Sequence, residues 1–75
     1  MTLTPDSTWD AGSLGCGELV LELRQRLRAM PGGTLELIAT DPGAPEDIPA
    51  WCRLTRHALL HAEPPVYWIR ARTPP

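Results

Sequence analysis

No lysine occurs among the 75 residues; all seven basic side chains are arginines. Chemistry that begins from an amine, such as Schiff-base formation or a phosphate loop ending in Gly-Lys-Thr, is therefore excluded. A basic excess is missing too. Nine carboxylates outnumber the arginines and leave a formal charge of −2, whereas binding a phosphate backbone calls for surplus positive charge. Nucleic acid is not an expected partner. The longest apolar run, Val66 to Ile69, falls far short of the ~20 residues of a membrane helix, so no contact with a membrane is expected. Met1 to Asp10 has neither the positive start nor the apolar stretch of a secretory signal, which makes the cytoplasm the expected location. Cysteine is scarce. Cys16 and Cys52 are too few for a disulfide framework, so each is read as a buried apolar residue, a metal ligand or a reactive thiol.

What is present suits one small domain, with 43% hydrophobic and 21% charged residues. A chain of this length buries only roughly 60% of the surface it exposes when unfolded, which leaves no room for a deep pocket holding substrate and cofactor together. Chemistry should lie near the surface. Residues 1–7 read as a flexible lead-in, 8–72 as the domain and 73–75 as a tail in which Pro74 and Pro75 end any pairing.

A short strand is expected at Thr8 to Asp10, followed by glycine punctuation. From Gly17 to Met30 the apolar positions Leu19, Leu23, Leu27 and Met30 follow helical spacing, and Pro31-Gly32-Gly33 stops the pattern. Glu18 in the first turn and Arg26 and Arg28 in the last complement the helix dipole. Thr34 to Ala39 alternates as a strand. After the turn-rich Asp41 to Pro45, Asp47 is expected to cap a helix from Ile48 to Thr55 with Pro49 in its first turn. Ala58 to Glu63 and Val66 to Arg72 read as strands joined around Pro64-Pro65. The order β-α-β-α-β-β predicts a parallel crossover followed by an antiparallel pair. The fold is an α/β two-layer sandwich, with two helices on one face of a four-stranded mixed sheet.

Cys16 follows a turn marked by Gly12 and Gly15 and directly precedes the first helix. Unsatisfied N–H groups and the positive dipole end there favour an anion and lower a thiol pKa, as sulfur transfer needs. The alternative is an inert small residue filling the turn. Asp10 and Glu18 bracket it as acid or base candidates, although Glu18 also reads as a dipole-complementing residue. For Cys52, a structural thiol is expected, with Trp51, Cys52 and Leu54 turned to the core. His57 and His61 have a spacing that suits a metal only on a helix, and the strand reading argues against one. Arg24, Arg26 and Arg28 form either a solvated face or a docking surface for an acidic partner, and Glu22 is placed to pair with Arg26. Trp68 and Ile38 are candidates for an apolar patch on the open sheet face.

The run Asp10-Ala11-Gly12-Ser13-Leu14-Gly15-Cys16-Gly17-Glu18-Leu19 resembles the start of the TusA/SirA-like sulfur-carrier family, whose hallmark is Asp-Ala-x-Gly-Leu-x-Cys-Pro-x-Pro. The likeness continues through Met30-Pro31-Gly32, Asp41-Pro42, Asp47-Ile48-Pro49, Trp51-Cys52, His57 and Tyr67-x-Ile69-Arg70. Both hallmark prolines are absent: Gly17 and Leu19 occupy their positions, and Ser13 replaces a glycine. Arg56 stands where many members carry Gly before His57.

The resemblance implies a sulfur relay rather than a stand-alone enzyme. Cys16 would bear the sulfur, Gly15, Gly17, Glu18 and Asp10 would support it, and no cofactor or metal is implied. Its partners would be a persulfide donor protein and an acceptor protein, with the chain a monomer or weak dimer. The loss of the rigid prolines motivates a second expectation, a regulatory or interaction module that kept the fold and lost the transfer.

Overall fold

A computed structural model describes residues 4–73 and resolves the apolar periodicities into six elements. These are β1 (Ser7–Gly12), α1 (Cys16–Arg28), β2 (Thr34–Ala39), α2 (Ala44–Thr55), β3 (Ala58–Glu63) and β4 (Val66–Arg70). They form the expected mixed sheet, in spatial order β1-β2-β4-β3. β1 runs parallel to β2, and β4 lies antiparallel to both β2 and β3.

The alternation in β2 sets the two faces. Leu35 stands opposite Ile69 and Leu37 opposite Tyr67, and all four are buried with Ala39 against the helices. From the helix side come Leu19, Leu23 and Leu27 of α1 and Ala44, Ile48 and Cys52 of α2, each set repeating every four residues. Burying each large aliphatic side chain stabilises the fold by roughly 1.5–3 kcal/mol. The other face pairs Glu36 with Trp68 and Ile38 with Val66. Trp68 lies on this open face as expected, its indole N–H donating to Glu36 Oε2 at 3.1 Å.

Several boundaries differ from expectation. α2 begins four residues early, at Ala44, so Asp47 is not its cap: Gly43 is, and its carbonyl accepts the Asp47 N–H at 2.9 Å. Pro45 falls in the first turn, where a missing N–H leaves no bond unmade. Pro49 therefore lies inside the helix rather than in its first turn. Pro45 is exposed, so water can take the carbonyl bond that Pro49 cannot donate.

The phase of α2 also turns Leu54 outward, 83% exposed, instead of into the core. α1 ends at Arg28 rather than Met30 because the chain tightens, the Met30 N–H reaching Leu27 O at 3.1 Å. β4 ends at Arg70, since Ala71 bonds to Gly32 and Gly33 in the loop after α1. The lead-in is not loose at Asp6, whose backbone N–H donates to Thr34 O at 2.8 Å and whose carboxylate accepts the Thr34 N–H at 2.7 Å. Residues 1–3 of the lead-in, and Pro74 and Pro75 of the tail, lie outside the described residues.

Candidate functional site

Two adjacent parallel strands end side by side, so the loops that follow β1 and β2 meet at one end of the sheet. Gly12, with φ +58, turns the chain out of β1 in a conformation that other residues rarely adopt. Asp10 Oδ1 accepts the Gly12 N–H at 2.9 Å and shapes that turn. The Thr40 N–H donates to Gly12 O at 2.9 Å and ties the two loops together. Gly15 caps α1 with an extended backbone, its carbonyl accepting the Leu19 N–H at 2.8 Å, and Cys16 becomes the first helical residue.

The Cys16 thiol turns toward the second loop and donates to Asp41 Oδ2 at 3.2 Å. The same oxygen accepts the Gly43 N–H at 3.0 Å. Asp47 closes on this spot as well: a Cβ built on Gly43 would lie 3.0 Å from Asp47 Oδ2 and 3.1 Å from Asp41 Oδ2. Only glycine admits both carboxylates so close to the backbone.

Burial and the neighbouring Asp47 and Asp41 carboxylates push the Cys16 thiol up to about 12. The expectation of a lowered pKa is thereby reversed. Carboxylates in contact with the thiol carry whole charges, whereas a helix end contributes about half a charge. Cys16 rests as a protonated donor, and the carboxylate that accepts its hydrogen bond is a base in position to take the proton.

Of the supporting residues expected from sequence, Gly15, Gly17 and Glu18 surround the outer side of the Cys16 turn. With Ala11, Ser13 and Leu14 they line an open hollow of about 730 Å³. Glu18 is exposed in the first turn of α1, as its dipole-complementing role requires. Asp10 is occupied with the turn, bonded to Gly12 rather than to the thiol. Sequence reasoning missed Asp41 and Asp47 as partners of the cysteine. The signal was present in the parallel crossover, which brings whatever follows β2 alongside whatever follows β1.

Cys52 is buried on α2, and burial pushes its thiol up to about 11. Cys52→Ser should place a hydroxyl among apolar neighbours and lower stability by on the order of 1–3 kcal/mol. Thermal melts should show that loss; an unaltered melting temperature would contradict a structural role.

His57 Nδ1 accepts the Arg72 backbone N–H at 3.0 Å, and its ring stacks on Trp51 with centroids 5.3 Å apart. Burial and the Arg72 charge lower its pKa, which keeps the accepting nitrogen unprotonated. His61 lies on β3 and meets Glu63 Oε2 at 3.0 Å. Among the described residues no group of three His, Cys, Asp or Glu is placed to hold a metal ion.

The arginines of α1 do not act as one cluster. Arg26 pairs with Glu22 at 2.7 Å, and its guanidinium sits 4.6 Å from the centre of the Trp9 ring. Arg24 and Arg28 instead line a groove of about 640 Å³ with Arg56, Arg72 and the exposed Leu54. Arg56 caps α2 at φ 65, a left-handed position that glycine takes without strain.

Known proteins resemble this chain over most of its length. The family described as Sulfurtransferase TusA matches residues 7–72. The chain is 42% identical over 74 residues to the sulfur carrier protein TusA of Pseudomonas putida strain GB-1, covering 92% of each chain. It is 43% identical over 70 residues to that of Pseudomonas fluorescens strain SBW25, covering 87% of this chain and 84% of the relative. With that of Pseudomonas aeruginosa strain LESB58 it shares 39% over 77 residues, covering 96% of this chain and 98% of the relative. The family match spans almost the whole described chain and these identities extend over most of its length: the chain belongs to the TusA family of sulfur carriers.

Proposed function

We propose that this protein relays sulfur as a persulfide on Cys16, taken from a persulfide-bearing donor protein and handed to an acceptor protein. The observation that carries the reading is the hydrogen bond from Cys16 Sγ to Asp41 Oδ2 at 3.2 Å, at a loop junction reachable from outside. In the accepting step the Cys16 proton passes to Asp41, and the sulfur attacks the terminal sulfur of the donor persulfide. A new S–S bond forms at Cys16 as the donor's S–S bond breaks. The donor leaves as a thiolate and recovers the proton from Asp41, so a thiol and a persulfide exchange one sulfur with no net oxidation. The handing-on step is the reverse, with the acceptor's thiolate attacking the outer sulfur on Cys16.

This is a carrier's chemistry and needs no enclosed pocket. Residues 8–72 suffice for it as one domain, and the cytoplasm is its place because thiols stay reduced there. No helix among the described residues is long and apolar enough to cross a membrane. The arginine groove fits an acidic surface on a donor or acceptor protein.

Intact mass after incubation with a persulfide donor tests the proposal. Wild type and Cys52→Ser should gain one sulfur atom, and Cys16→Ser none. A wild-type protein that gains none from any donor would favour the interaction module. That α1 still begins at Cys16 without the hallmark proline supports retained transfer.

A further inference from the structure

Four of the seven arginines converge on one groove, the hollow of about 640 Å³ at the C-terminal ends of α1 and α2. Arg24 and Arg28 stand one helical turn apart on α1, Arg56 ends α2, and Arg72 follows β4. The chain as a whole carries nine carboxylates and a formal charge of −2, yet no Asp or Glu lines this groove. Among the described residues the ion pairs are Arg26 with Glu22 and His61 with Glu63, so no carboxylate neutralises the groove arginines. Like charges one turn apart on a helix destabilise it.

Helix dipoles do not account for the cluster. A cation in the last turn of α1 offsets that dipole, and Arg28 provides it. Arg24 lies a turn earlier, and Arg72 belongs to neither helix. Arg56 even takes backbone strain to be there: it ends α2 at φ 65, a left-handed conformation that costs any residue with a Cβ. Strain of that kind gathers where the side chain it presents is used.

The groove is also apolar in part. Leu54, 83% exposed, and the half-buried Trp51 line it beside the arginines. A phosphate or an RNA backbone would use the cations and leave the leucine in water, whereas an acidic polypeptide with an apolar side chain uses both. We propose that this groove docks an acidic segment of a partner protein, with Arg24, Arg28, Arg56 and Arg72 pairing its carboxylates and Leu54 meeting an apolar side chain. α1 begins at Cys16 and ends at Arg28, which at a rise of ~1.5 Å per residue sets the groove roughly 18 Å from the sulfur. The partner is held at the far end of the helices, and Cys16 stays open. Docking here does not depend on Cys16 bearing sulfur, so it is tested apart from the relay.

A fluorescein-labelled acidic peptide with one central leucine, titrated with the full chain and followed by fluorescence anisotropy, provides the test. It should bind at low salt and weaken as salt screens the charges. Arg24→Gln combined with Arg28→Gln should weaken binding by roughly tenfold. Arg53→Gln combined with Arg70→Gln removes the same charge from exposed positions outside the groove and should leave binding almost unchanged. Leu54→Ser should weaken it severalfold. Arg56→Gly relieves the left-handed strain, so it should raise the melting temperature while weakening the peptide severalfold, a pairing that a merely structural arginine would not give. Saturating peptide should leave the rate of Cys16 alkylation unchanged.

No binding by wild type, equal losses in the two double variants, or slower Cys16 alkylation under saturating peptide overturns the proposal. Tighter binding of a single-stranded RNA of equal charge does so too, and would make the groove a nucleic-acid site.

Discussion

Asp41→Asn should make Cys16 alkylate faster and accept sulfur more slowly. Asparagine keeps the shape of the side chain and an oxygen for the Gly43 N–H, and it removes the charge. The thiol, held up to about 12 by burial and by Asp47 and Asp41, should move back toward its ordinary value near 9. Each unit of that movement raises the thiolate fraction tenfold at a given pH, so alkylation near pH 8 should accelerate by roughly tenfold or more. Sulfur acceptance should fall by roughly a hundredfold, because general base assistance typically contributes that much or more. Opposite changes in the two rates identify Asp41 as the proton acceptor. If both rates rise together, Asp41 is only a charge that suppresses the thiolate, and the transfer step uses another base.

The same shift bears on stability. The folded state holds the Cys16 proton more tightly than the unfolded chain does, so this contribution is fully present below pH 9 and is lost as the pH rises toward 12. Asp41→Asn should flatten that alkaline decline in a series of melts.

β2 and β3 were legible in the sequence to the residue, β2 because it alternates between Gly32-Gly33 and Asp41-Pro42, and β3, which does not alternate, because Pro64-Pro65 bounds it. The start of α2 was not, because Pro45 reads equally as loop punctuation or as a first-turn residue, and only the docking of Ala44 in the core decides. Leu54 was misplaced by composition alone. It lies two residues beyond the buried Cys52, about 200° around a helix, so once the Ala44, Ile48 and Cys52 stripe is fixed it has to face outward. At the site, the cysteine was legible and its chemistry was not. Asp41 is 25 residues further along the chain, and no local pattern joins the two. The sign of the pKa shift turned on burial of the thiol and on that omission, since an exposed helix end without carboxylate neighbours does lower a thiol's pKa.

The two hallmark prolines missing at Gly17 and Leu19 should prove separable. Gly17 is the second residue of α1, where its N–H has no intrahelical acceptor, and a Cβ there meets nothing within 4 Å. Gly17→Pro should therefore stabilise the protein by roughly 0.4–1 kcal/mol, chiefly by restricting the unfolded chain, and leave sulfur loading intact. Leu19 is different. Its N–H makes the 2.8 Å bond to Gly15 O that opens the helix, and its side chain is fully buried. Leu19→Pro removes that donor and withdraws apolar volume from the core, and should destabilise by about 3 kcal/mol. Because the lost bond is the one that sets Cys16 at the first helical position, sulfur loading should fall with it. The check is a melt and a mass measurement on each variant. A destabilised Gly17→Pro would show that the Gly17 N–H already serves an acceptor at the site. A Leu19→Pro as stable as wild type would show that α1 can open its first turn without either the Gly15 bond or the buried leucine side chain.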